Sequence, residues 1–192
     1  MIEDCTALIL AGGDSRRMGQ DKAALVLDGK SLLERVTATM QQVFPKVIVS
    51  VRQLRTGVEV QQVCDEQPSG GPLAGLSAGL AQADTPWVFA VACDMPFVTS
   101  AVVNHLAELR KGFQAVVPVV GGYNQPLAAF YAASVLEVMR ASMTAGDKSL
   151  RGVLEKLKVR YVNEVELREF DPRLRSFFDL DTPQDFQAAQ ER

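Results

Sequence analysis

This chain of 192 residues is poor in the groups on which much enzyme chemistry depends. Its single histidine, His105, sits four residues before Leu109 in a helical pattern and is expected to face solvent, which argues against a Ser-His-Asp relay. Three cysteines, Cys5, Cys64 and Cys93, are an odd number without C-x-x-C spacing. They exclude a disulfide frame and a thiolate zinc site, and they suit reduced thiols in a cytoplasmic protein. No H-E-x-x-H pair is present. No apolar run approaches the roughly 20 residues that span a bilayer, so no membrane association is expected. The opening Met1-Ile2-Glu3-Asp4-Cys5 lacks the basic region and apolar core of a secretory leader. Neither sign of charge dominates: the formal net charge is −3, which argues against a nucleic acid held by bulk electrostatics. What remains is ordinary globular composition, 47% hydrophobic and 22% charged, and a length that suits one domain over residues 1–192.

The chain does have a glycine-rich, cationic loop behind a buried strand. The apolar run from Ala7 to Ala11 empties into Gly12-Gly13-Asp14-Ser15-Arg16-Arg17-Met18-Gly19-Gln20-Asp21-Lys22. Adjacent glycines let the backbone approach a ligand closely, and consecutive loop N–H groups form an anion-binding concavity. Arg16, Arg17 and Lys22 supply the fixed charge that a polyphosphate requires. The P-loop ending is absent, because Gln20 follows Gly19 and Ala23 follows Lys22; the dinucleotide spacing G-x-G-x-x-G is absent too. A nucleoside triphosphate is the occupant these residues suit, against the alternative of a surface turn with solvated arginines.

Along the chain, apolar runs alternate with helical patterns. Ser31 and Glu34 form a capping box ahead of Leu32, Leu33, Val36, Met40 and Val43. Strands are expected at Val47–Val51, more weakly at Val58–Cys64, and at Trp87–Ala92, which is apolar throughout as a central parallel strand should be. A small-residue helix is expected over Leu73–Ala83. Another should run from Thr99 or Ser100 to about Lys111. Ala115–Val120 reads as a strand that Pro118 makes an edge or distorts, and Pro126–Tyr131 and Val159–Val162 read as further strands. Helices are expected near Ser134–Met143 and Ser149–Leu157, and a last one is announced by Thr182, Pro183 and Asp185. The pattern predicts an α/β fold, a single Rossmann-like three-layer domain with a mostly parallel central sheet.

Asp94 stands where the run Trp87–Ala92 ends, at the ligand edge of an open parallel sheet. A carboxylate there suits a hard divalent cation on phosphate oxygens, or a turn cap through its own backbone. Asp179 and Asp181 flank Leu180 and share one face if that segment is extended. Either could join Asp94 on a metal, although Asp181 also borders a helix start and suits a cap. Gly70 and Gly71 are candidates for ligand contact in a turn, whereas Gly79 suits helix packing. Asp65 could accept hydrogen bonds from a base or ribose. Arg151 is a candidate phosphate contact or a solvated helix-face arginine.

In order, Leu10-Ala11-Gly12-Gly13 with Arg17-Met18-Gly19 and Asp21-Lys22, then Gly71-Pro72-Leu73-Ala74-Gly75-Leu76, Cys93-Asp94-Met95-Pro96-Phe97, Gln125-Pro126-Leu127 and Asp181-Thr182-Pro183-Gln184-Asp185 resemble five motifs of one family. The family is that of the molybdenum cofactor guanylyltransferases, on a sheet like that of the nucleotide-diphospho-sugar transferases. The resemblance implies transfer of GMP from GTP to the terminal phosphate of molybdopterin, or its molybdenum-loaded form, with pyrophosphate released. It implies that Leu10, Gly12, Gly13, Lys22 and Asp65 bind nucleotide, with Ala11, Gly70, Gly71 and Asp94 as further candidates beside them, that Arg17, Lys22 and Asp94 serve catalysis, and that Asp94 holds Mg²⁺. Beside what the resemblance implies, Arg151, Asp179 and Asp181 are candidates to meet the pterin substrate. Further partners would be molybdenum-insertion proteins and apo-molybdoenzymes or their chaperones. The family commonly carries asparagine where Asp179 and Asp181 stand, so this chain is more negative there. The rivals are a molybdopterin cytidylyltransferase, a sugar-nucleotide transferase and a non-catalytic nucleotide-binding adaptor; adjacent Gly12 and Gly13 favour guanine within the resemblance.

Overall fold

The computed structural model of the chain describes residues 1–12, 21–64 and 70–190. In chain order the strands are β1 (Cys5–Leu10), β2 (Val26–Leu27), β3 (Lys30–Ser31), β4 (Lys46–Val51), β5 (Gln61–Cys64), β6 (Trp87–Ala92), β7 (Ala115–Val120), β8 (Tyr123–Asn124), β9 (Ala128–Ala132) and β10 (Val159–Val162). The helices are α1 (Leu32–Val43), α2 (Gly71–Gln82), α3 (Ser100–Glu108), α4 (Val135–Thr144), α5 (Leu150–Leu154), α6 (Glu164–Arg168) and α7 (Pro183–Gln190). Short 3₁₀ turns lie at Lys22–Ala24 and Arg175–Phe177.

The main sheet runs in the order β10-β7-β9-β6-β1-β4-β5, with β8 paired to β7. β1 is parallel to both β4 and β6, β4 to β5 and β7 to β10, while β9 is antiparallel to β6 and β7. The apolar run Trp87–Ala92 is indeed central. Alternation along the strands splits the core between two faces. Ala7 and Ile9 pack with Phe44, Phe89 and Phe130 under α1 and α3, while Leu8 packs with Leu73, Leu76 and Tyr131 under α2, α4 and α5. The result is the expected three-layer α/β arrangement with a mostly parallel sheet.

Local chemistry sets several boundaries. Ser31 caps α1 by accepting from the Glu34 N–H while the Glu34 carboxylate accepts from the Ser31 N–H, so both halves of the box form. Thr182 and Asp185 do the same for α7, a shorter acid replacing the usual Glu. Pro118 does not place β7 at an edge, since β10 and β9 lie on either side of it. It does mark a break: β9 pairs with Ala115 and Val116, and β8 takes over at Val119 and Val120. Between these two pairings, the Pro118 carbonyl accepts from the Gln125 N–H at 2.8 Å. The weak strand expected from Val58 shortens to β5. The hairpin β2–β3 and helix α6 had no counterpart among the expected elements.

Candidate nucleotide-binding site

The carboxyl ends of β1, β4 and β6 open onto a cavity of about 500 Å³, and Gly71, Pro72 and Gly75 of α2 form part of its wall. Backbone hydrogen bonds lock these strand ends together. The Ala11 N–H donates to the Ser50 carbonyl at 2.8 Å, and the Cys93 N–H donates to the Leu10 carbonyl at 3.0 Å. The segment carrying Asp179 and Asp181 is tied in the same way, because the Leu180 N–H donates to the Asp94 carbonyl at 2.9 Å. Leu180 is fully buried, which turns Asp179 and Asp181 together toward the cavity they both line. The sequence could not show that this segment meets the end of β6.

Lys22 joins the acidic residues. Its Nζ donates to Asp94 Oδ2 at 2.8 Å and to Asp181 Oδ1 at 2.5 Å. Asp21 holds the lysine in place by capping its 3₁₀ turn, accepting from the Ala23 N–H at 3.2 Å. Burial works against the ammonium charge, but the hydrogen bonds and charges of Asp181 and Asp94 outweigh it and raise the Lys22 pKa. Asp179 is shifted upward as well, by desolvation first and by the neighbouring charges of Asp181 and Asp94. Burial pushes the Cys93 thiol up to about 12, with Asp94 adding to the effect. At neutral pH it is therefore a thiol and not a nucleophile.

Among the expected site residues, Leu10, Ala11, Gly12, Lys22, Gly71, Asp94, Asp179 and Asp181 line this one cavity. Gly71 has a φ of +63°, the left-handed conformation glycine tolerates best. Gly70 is buried at the N-cap of α2 and is not part of the wall. Arg151 lies elsewhere, its side chain 84% exposed on α5 and paired with Glu155 at 3.2 Å. Gly13, Arg16, Arg17 and Asp65 fall outside the described residues. His105 departs from expectation: its ring stacks on Phe170 at 4.1 Å, and its Nε2 is buried without a partner among the described residues.

Ser50, Arg52 and Gln125 also line the cavity but were not singled out as site residues from the sequence, beyond the place of Gln125 in a motif. Ser50 had one available signal, a hydroxyl inside the apolar run Val47–Val51.

Among the described residues no group of three His, Cys, Asp or Glu side chains is placed to hold a metal ion. The chemistry of the donor set nevertheless fits Mg²⁺. The ion prefers hard oxygen donors, and one or two carboxylates suffice when substrate phosphates and water complete its shell. Asp94 and Asp181 supply such a pair, drawn together on one ammonium.

A model of the MobA-like NTP transferase domain matches residues 7–162. A probable molybdenum cofactor guanylyltransferase of Pelotomaculum thermopropionicum is 35% identical over 189 residues, covering 96% of this chain and 91% of the relative. A molybdenum cofactor guanylyltransferase of Desulfosudis oleivorans is 33% identical over 98% of this chain and 96% of its own length. The crystal structure of molybdopterin-guanine dinucleotide biosynthesis protein A from Archaeoglobus fulgidus superposes with a TM-score of 0.86 at 31% identity, covering 97% of each chain. With a match over most of its length and relatives above 30% identity, the chain belongs to the family of MobA-like NTP transferases.

Proposed function

We propose that this protein is a molybdenum cofactor guanylyltransferase, which transfers GMP from GTP to the terminal phosphate of molybdopterin and releases pyrophosphate. The observation that carries the reading is the Lys22 ammonium held by Asp94 and Asp181 at the carboxyl edge of the sheet, beside the backbone of Leu10, Ala11 and Gly12. An ammonium, paired carboxylates and strand-end backbone around one cavity support the reading of a nucleoside triphosphate site.

In this reading Gly12, Gly13 and Gly71 let the nucleotide lie against the backbone, and Asp65 receives the base or ribose. A phosphate oxygen of molybdopterin attacks the α-phosphorus; the new P–O bond forms as the bond to the β-phosphate oxygen breaks. The attacking phosphate has a second pKa of roughly 6 and is already ionised at neutral pH, so no general base is needed. Lys22 and Arg17 offset the charge that grows on departing pyrophosphate. Asp94, with Asp181 beside it, would hold Mg²⁺, which when bound neutralises phosphate charge in the transition state. The free cysteines suit a reducing compartment, and we assign the enzyme to the cytoplasm, where molybdenum-insertion proteins and apo-molybdoenzymes would be its partners.

The test is pyrophosphate release from purified protein with molybdopterin and either GTP or CTP. GTP is expected to be the better donor, and Lys22→Ala or Asp94→Ala should lower turnover by about 10²-fold or more while leaving the circular dichroism unchanged. Preferential use of CTP would reassign the enzyme as a cytidylyltransferase. Nucleotide binding without release would leave a binding module, and normal turnover of Asp94→Ala with saturating Mg²⁺ would remove its metal role.

A further inference from the structure

Arg55 belongs to no motif of the site, yet it ties two parts of the cavity wall together. Its NH1 donates to Asp21 Oδ2 at 2.5 Å and its NH2 to Asp21 Oδ1 at 2.9 Å, a two-pronged contact with one carboxylate. The same NH2 donates to the Ala11 carbonyl at 3.3 Å. One planar group therefore spans Ala11, where β1 delivers the chain to the cavity, and Asp21, which caps the turn bearing Lys22.

The arginine is itself anchored. The Arg55 N–H donates to Gln62 Oε1 at 2.8 Å, and Gln62 Nε2 donates to the Arg55 carbonyl at 2.9 Å. A side-chain amide on β5 thus pairs with the Arg55 backbone much as a neighbouring strand would. A connected path runs from β5 through Gln62, Arg55, Asp21 and Lys22 to Asp94 and Asp181. Partly exposed ion pairs add little to stability. The side chains of Arg55 and Asp21 are 26% and 47% exposed, so what this pair supplies is placement. Both terminal nitrogens are engaged with protein oxygens, which makes the guanidinium a bracket between Asp21 and Ala11.

We propose that Arg55 is a positioning residue for the triphosphate site, fixing the Lys22 turn against the end of β1 through Asp21 and the Ala11 carbonyl. The role rests on the reading of this cavity as a nucleoside triphosphate site. A lysine cannot reproduce it, since a single ammonium lacks the fork that spans a carboxylate and a second carbonyl. Mispositioning of a catalytic group by about 1 Å can cost 10²-fold in rate.

The experiment compares wild type, Arg55→Ala, Arg55→Lys, Asp21→Asn and the Asp21→Asn/Arg55→Ala pair as full chains with matched circular dichroism. Three readouts are taken: amide exchange of peptides covering residues 22–25 without nucleotide, the dissociation constant for GTP by calorimetry, and turnover by pyrophosphate release. In Arg55→Ala exchange should quicken and the GTP dissociation constant should rise about tenfold, with turnover down about 10²-fold. Arg55→Lys should resemble Arg55→Ala, and the double variant should be no worse than the poorer single one. Unchanged exchange in Arg55→Ala, full rescue by Arg55→Lys, or faster exchange with unchanged GTP affinity would each overturn the role. Wild-type protein that binds no GTP, with exchange still quickened in Arg55→Ala, would instead retire the triphosphate reading and leave the bracket standing.

Discussion

At Asp179 the desolvation imposed by neighbouring atoms is the leading influence, and the charges of Asp181 and Asp94 act in the same direction. Its own backbone N–H and Lys22 only partly oppose them. The folded state therefore holds the Asp179 proton more tightly than the unfolded chain does. Stability tied to this group is fully present in acid, below the ordinary carboxylate range, and is lost as pH rises through the elevated folded value. At neutral pH the ionised side chain opposes folding. Its exposed position at the rim keeps the effect small. Asp179→Asn should raise Tm at pH 7 by about 1–3 °C, and the difference from wild type should shrink steadily as pH falls toward 4. Thermal denaturation across that range checks it; a constant difference at every pH would show that the charge is not its source. Asp94 and Lys22 were legible from sequence because each stands in a compact run of residues with chemistry of its own. Arg55 was not, since its partners Asp21 and Ala11 lie 34 and 44 positions away and no local pattern links them. His105 departs from its solvent-facing expectation for a related reason: Phe170, which stacks on it, comes from a distant part of the chain.

Helix α2 shows how an element combines packing with site construction. Its Gly75 faces Ser50 so closely that an added Cβ would stand 2.8 Å from the hydroxyl, and this brings the cavity wall against the end of β4. One turn later an added Cβ at Gly79 would overlap the Leu8 side chain, which is fully buried and has no room to retreat. Alanine would improve helix propensity by about 1 kcal/mol, but overpacking a tight core costs about 1–3 kcal/mol. Gly79→Ala should therefore destabilise the protein by about 1 kcal/mol in urea unfolding. Adding Leu8→Ala should cost less in the Gly79→Ala background than in wild type, because the new methyl fills part of the space vacated. Full additivity would place the strain elsewhere. The packing role of Gly79 was readable from its spacing, as were the capping boxes of α1 and α7, because these are local signals. The hairpin β2–β3 also had a signal, Asp28-Gly29, whose positive φ values of 51° and 78° are those of a two-residue hairpin turn. Pro118 was half readable: proline announces a break in a ladder, but whether another strand lies beyond it depends on tertiary pairing.

Across the whole molecule, strand order was the least legible feature. β6 lies beside β1, and β9 enters antiparallel between β6 and β7, pairings set by contacts between distant segments and not by any local propensity. The same order assembles the site, since it sets the ends of β4, β1 and β6 side by side and lets the Asp179–Asp181 segment dock on Asp94. Seven strands form a continuous path through the sheet, with apolar clusters on both faces. We therefore propose that residues 1–192 unfold as a single cooperative domain. Calorimetry should give one transition whose calorimetric and van't Hoff enthalpies agree; two resolved transitions would divide the chain. Because the cavity is built from strand ends that exist only in the folded sheet, a nucleotide held there as proposed should bind the native state alone. A ligand at 100 times its dissociation constant then adds about 2.7 kcal/mol, or about 5–11 °C in Tm for a chain of this size. GTP with Mg²⁺ should produce that shift, and Lys22→Ala should lose most of it when measured against its own unliganded Tm. A full shift in Lys22→Ala would mean that the nucleotide gains its binding energy away from the ammonium shared by Asp94 and Asp181.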